Sequence, residues 1–90
     1  MVSEKVTVIN KQGFHMRPAS VFVQAMAKYP GTDINIVFNG KDIDGKSIMN
    51  VMAACMKCGS EIEIQCTGPD EQAMLAEAVG MVKSGLGDAV

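Results

Sequence analysis

Glu61-Ile62-Glu63-Ile64-Gln65-Cys66 alternates charged or polar residues with apolar ones through three full periods. Successive side chains of a strand point to opposite faces, so this stretch has one wet face and one dry face. A one-sided strand fits an antiparallel sheet covered on a single face. Gly68-Pro69-Asp70 breaks the strand. Beyond it, Leu75, Ala78, Val79 and Val82 recur at helical spacing, and Gly85 supplies a stop.

Upstream, the same two periods alternate. Ile34, Ile36 and Phe38 mark a strand, and Asn39-Gly40 has the chemistry of a two-residue hairpin turn. Lys41-Asp42-Ile43-Asp44 is then the returning strand. Ser47 is an N-cap, and Ile48, Val51, Met52 and Cys55 give the short helix behind it an apolar face. Nearer the N-terminus, Val6 and Val8 predict a strand over Lys5–Ile9. Ala19, Phe22, Val23 and Met26 predict a helix over Met16–Lys28, closed by Tyr29-Pro30-Gly31. The order is β-α-β-β-α-β-α, an α+β fold with a four-stranded antiparallel sheet covered on one face by three helices.

Ninety residues suffice for one domain, 1–90, and not for two cores. Apolar residues make up 48% and charged residues 20%, a globular rather than disordered balance. The net charge of −2, no Trp, one Tyr and three Phe argue against nucleic-acid binding through phosphates or stacked bases. Apolar stretches such as Ile48–Met56, broken by Asn50, fall well short of the ~20 residues a membrane span needs. No apolar leader follows Met1, and three cysteines do not pair off, so a reducing cytoplasmic location is expected.

The single histidine lies in Gly13-Phe14-His15-Met16-Arg17-Pro18-Ala19-Ser20. Pro18 is tolerated in a helix's first turn, which puts His15 at the helix N-terminus. Amide donors and the positive end of the helix dipole gather there and favour an anion. Arg17 adds a fixed cation suited to phosphate oxygens. A histidine that accepts a phosphoryl group needs this combination of accessible ring nitrogen and oxygen-facing donors. A helix-capping histidine beside a surface arginine is the plain alternative. No nucleotide loop or metal-binding carboxylate set of the kind kinases use is present.

Gly13 to Ala19 resembles the active-site motif of the HPr family, the histidine-containing phosphocarriers of the bacterial phosphoenolpyruvate-dependent sugar phosphotransferase system. Asn39-Gly40-Lys41, Gly45-Lys46-Ser47-Ile48-Met49-Asn50-Val51-Met52 and Gly59 resemble the family at the matching distance. The resemblance covers almost the whole chain and implies the family's open-faced β-sandwich. It implies that His15 is phosphorylated through Nδ1 by phosphorylated enzyme I, with Arg17 helping to hold the group. The group then passes to IIA domains of sugar permeases. Such a protein is a covalent relay, not an enzyme, and carries no cofactor or metal.

Ser47 caps a helix by its chemistry. The run Lys46-Ser47-Ile48-Met49 with Met52 resembles the Gram-positive type, which implies regulatory phosphorylation of Ser47 by HPr kinase/phosphorylase. The modified form would accept poorly from enzyme I and act with the catabolite control protein. Ile48, Met49 and Met52 cannot all point inward from one short helix. With Met16, Arg17, Ser20 and Lys46 they form the expected docking patch of a monomer, Met52 having a core reading as well. Arg17, Lys28 and Lys46 are candidate rim cations for acidic partners.

Cys55-Met56-Lys57-Cys58 spells a CxxC. A thioredoxin-type pair opens a helix after a strand, whereas this one is expected to close a helix. Three thiols and a working histidine do not make a closed zinc site. Cys66 continues the Ile62 and Ile64 face and reads as core. Cys55 falls where the family often has Gly, and Cys58 where Lys is common in Gram-positive members. The rival readings are a paralogue serving nitrogen or other regulation, a thiol or metal module, and a plain interaction domain.

Overall fold

Alternation along Glu61–Thr67 does produce a strand, and its place in the sheet explains why that pattern is the cleanest in the chain. A computed structural model describes residues 1–86. Its elements are β1 (Val2–Thr7), α1 (Met16–Met26), β2 (Asp33–Phe38), β3 (Lys41–Asp44), α2 (Ile48–Ala53), β4 (Glu61–Thr67) and α3 (Glu71–Lys83). The four strands form one antiparallel sheet in the order β1-β4-β2-β3. Interior strand β4 is paired on both sides, with Ile62 opposite Val6, Ile64 opposite Ile36 and Cys66 opposite Ile34. Those six side chains are buried under the helices. Glu61, Glu63 and Gln65 turn to the other face, which no helix covers among the described residues.

Strand β1 departs from the predicted Lys5–Ile9 by starting at Val2. Its alternation is masked at Glu4, which lies opposite Ile64 but at the sheet edge, where its carboxylate meets Lys83 of α3 at 3.3 Å. Val8 stays buried yet lies beyond the ladder, exchanging bonds with the loop before β4: its N–H donates to Ser60 O at 2.9 Å and its carbonyl accepts from Gly59 at 2.7 Å.

Local chemistry sets the turns and helix ends. Asn39 and Gly40 both have positive φ, 53° and 75°, the two-residue turn that matches strand twist. Helix α1 stops at Met26, two residues before the predicted end. Lys28 and Tyr29 bond back only three residues, to Ala25 and Met26, tightening the last turn ahead of Pro30. Helix α3 ends in a Schellman motif. Gly85 N–H reaches Val82 O, Leu86 N–H reaches Met81 O, and the Leu86 side chain is buried.

One expectation is corrected. Cys55 is not on the apolar face of α2. The helix ends at Ala53, and Cys55 is exposed with φ +55°. A left-handed residue after a helix cap reverses the chain, so the spacing that matched a helix falls in the turn that leaves it.

Candidate functional site

Residues 10–15 form the loop from which the site is built. Asn10 is fully buried, and its Nδ2 donates to Gly13 O at 2.6 Å while Gly13 N–H returns a bond to Asn10 O at 3.0 Å. Phe14 follows, buried, with its ring 5.4 Å from Phe22 in an edge-to-face pair. Its N–H donates to Met56 O at 2.9 Å. Gly13 sits at φ +63°, where a Cβ would lie 2.2 Å from that same carbonyl. Only glycine lets the loop lie this close to the residues behind α2.

Held by Phe14, His15 becomes the N-cap of α1. Its backbone is extended, its carbonyl accepts from Ala19 N–H at 3.0 Å, and its side chain makes no capping bond to the helix. His15 as a whole is half-buried. Met16 and Arg17, the first two helical residues, are exposed, and Pro18 is buried in the first turn. The helix therefore presents its N-terminal end and the guanidinium-bearing residue on the surface where the histidine emerges.

Helix α2 packs on α1 and carries the second part of the site. Ser47 caps it, Oγ accepting from Asn50 N–H at 3.3 Å. Met49 points outward, 75% exposed, and Met16 is 66% exposed. Ile48 and Met52 are half-buried against the core. Ser20 is half-buried and accepts from Gln24 Nε2 at 3.1 Å.

Lys46 and Lys28, both expected as rim cations, have partners within the fold. Lys46 Nζ donates to Tyr29 O at 2.9 Å, tying the approach to α2 onto the end of α1. Lys28 Nζ lies 2.7 Å from Glu77 of α3, and Tyr29 Oη donates to the other oxygen of that carboxylate at 2.5 Å. Lys28, and then Tyr29, hold Glu77 below the usual carboxylate range. Sequence inspection missed this cluster because its members are 49 positions apart and follow no motif.

A cleft of about 330 Å³ runs between the β2–β3 hairpin and α2, lined by Phe38, Lys41, Asp42 and Asn50 among others, and His15 is not in it. Cys66 is buried, and burial pushes its thiol up to about 11, with Glu71 adding to the effect. Cys55 and Cys58 are exposed. The described residues hold no cluster of three metal-ligating side chains, and none of their helices is long and apolar enough to cross a membrane.

The family model described as the PTS HPr component phosphorylation site matches residues 2–84. The chain belongs to the HPr family. It is 43% identical over 76 residues to phosphocarrier protein HPr of Treponema pallidum, covering 84% of this chain and 85% of that one. It is 40% identical over 87 residues to the HPr of Mycoplasma capricolum, covering 96% and 97%. The HPr-like protein Crh of Bacillus subtilis is 35% identical over 83 residues, covering 92% and 96%. The crystal structure of HPr-C-His from Thermoanaerobacter tengcongensis superposes with a TM-score of 0.93 over all of both chains at 29% identity. The β-α-β-β-α-β-α order is thus the HPr fold. As an HPr-family protein the chain is a phosphocarrier of the phosphotransferase system and not a catalytic enzyme.

Proposed function

We propose that His15 is the residue that carries the phosphoryl group. The observation that supports this is its position as the N-cap of α1, with Arg17 at the second helical position. In this reading the imidazole Nδ1 attacks the phosphoryl group of phosphorylated enzyme I. A P–N bond forms on His15 as the bond to the donor breaks. The helix end and the Arg17 guanidinium balance charge on the three oxygens. The labile P–N bond then breaks again as a IIA domain of a sugar permease takes the group. The exposed Met16 and Met49, with Arg17, Ser20, Lys46, Ile48 and Met52 around them, form the surface on which these partners dock in turn. Binding of this kind is transient, and the protein works in the cytoplasm as a one-domain monomer.

Ser47 is the regulatory site in the same reading, phosphorylated by HPr kinase/phosphorylase. A dianion at the cap of α2 suits the helix end and changes the field that enzyme I meets. The catabolite control protein is the partner of that form. Likeness to Crh favours a second reading, a paralogue whose role is regulatory.

The test is intact mass after incubation with phosphoenolpyruvate and enzyme I, with His15→Ala alongside. One acid-labile phosphoryl group on the wild type alone is the expected result. No phosphorylation by an active cognate enzyme I would overturn the carrier reading and leave the regulatory one.

A further inference from the structure

We propose that Cys55 and Cys58 form a reversible disulfide that loosens the loop carrying His15. The pair is not a thioredoxin-type catalyst, because it opens no helix. It is a modification site set against the functional one. Both thiols are exposed, whereas Cys66 is buried with its thiol shifted away from reactivity. Residues 55–58 lie after α2 and before β4, so their backbone can rearrange without breaking a helix or a sheet ladder.

What makes the pair consequential is what it holds. Met56, between the cysteines, is 1% exposed, and its carbonyl is the acceptor for Phe14 N–H. Cys58 Sγ donates to Ile9 O at 3.5 Å. The CxxC segment thus touches the 9–14 loop at both ends, and His15 is the next residue along. A disulfide brings its two Cα atoms within about 4.4–6.8 Å. Met56 and Lys57 now lie between two turns rather than in one. A bridge that closes them into one turn draws Cys58 away from Ile9 and moves the Met56 carbonyl from Phe14.

The chemistry is exchange with a small-molecule disulfide. One cysteine thiolate attacks it, forming a mixed disulfide and releasing one thiolate of the reagent. The second cysteine thiolate attacks the protein sulfur of that mixed disulfide and releases the other. The two cysteines lose two electrons and two protons, and the reagent gains them as two thiols. The effect on phosphoryl acceptance rests on the carrier reading above.

The experiment treats the whole protein with oxidised glutathione, then with dithiothreitol. The expected product is lighter by two hydrogen atoms, with Cys55 and Cys58 protected from alkylation. Acceptance from phosphorylated enzyme I should slow by about tenfold, the order of one lost positioning hydrogen bond, and recover on reduction. Phe14 amide exchange should accelerate in the bridged form, a readout independent of carriage. Cys58→Ser should show none of these changes. Glutathione adducts without a bridge would overturn the proposal, as would a bridged form with unchanged Phe14 exchange. Failure of the reduced protein to accept phosphate would instead count against the carrier reading, leaving exchange at Phe14 to decide this one.

Discussion

Phe14 donates its backbone N–H to the Met56 carbonyl at 2.9 Å, and through this bond the segment behind α2 sets the position of the histidine at the head of α1. Gly13 makes the approach possible. Gly13→Ala places a methyl group 2.2 Å from the Met56 oxygen, at a φ that L-residues resist. The expected cost is at least about 2 kcal/mol, read as a lower denaturant midpoint, together with slower phosphoryl acceptance.

His15→Ala should abolish acceptance while changing stability by no more than about 1 kcal/mol, because the residue is only half-buried and the bond that starts α1, from Ala19 N–H to its carbonyl, is kept by alanine. Urea unfolding alongside the mass assay checks both halves. A large loss of stability would assign His15 a structural role.

Ser47→Ala removes the acceptor for Asn50 N–H and should destabilise the protein by about 1 kcal/mol. Ser47→Asp retains an acceptor at the cap and adds a negative charge. Its stability should match the wild type, and its rate of acceptance from enzyme I should fall.

Cys55→Gly should stabilise the protein by about 0.5–1 kcal/mol. A non-glycine residue at φ +55° is strained, and relief of that strain exceeds the chain entropy that glycine adds. A thermal melt under reducing conditions measures it.

The Tyr29–Glu77–Lys28 cluster predicts a two-sided pH profile. Glu77 is lowered from 4.5 by Lys28 and then Tyr29, so its stabilisation is complete above 4.5 and is lost as pH falls through the lower folded value. Tyr29 is raised from 10.0 by its bond to Glu77, so its contribution is complete below 10.0 and is lost as pH rises through the higher folded value. Glu77→Gln should flatten the acid limb of the melting profile, and Tyr29→Phe the alkaline limb.

Where local chemistry decides structure, the sequence was readable. The Asn39-Gly40 turn, the Ser47 cap, the β4 alternation and the placement of His15 before Arg17 and Pro18 each follow from neighbours within four residues. Tertiary partners decide the rest. Glu4 hides the start of β1 because its reason for lying on the covered side is Lys83. Lys28 and Lys46 read as surface cations because Glu77 and the Tyr29 carbonyl are distant in sequence. The role of Gly13 is visible only once Met56 is beside it. Cys55 matched a helical spacing that the left-handed turn had already ended.

The strand order also carries a consequence for how the molecule is made. β4 lies between β1 and β2, so the central ladders join residues 2–7 and 33–38 to residues 61–67. During synthesis, the first sixty residues can form the β2–β3 hairpin and the early helices, but β1 has no strand beside it. Closing so long a loop has an entropic cost and slows folding relative to chains built from local contacts. The edge of β2 that β4 will occupy therefore stands open while the ribosome adds the last third of the chain. Substitutions in β4 should consequently weigh more on folding yield in the cell than equal losses of stability in the hairpin.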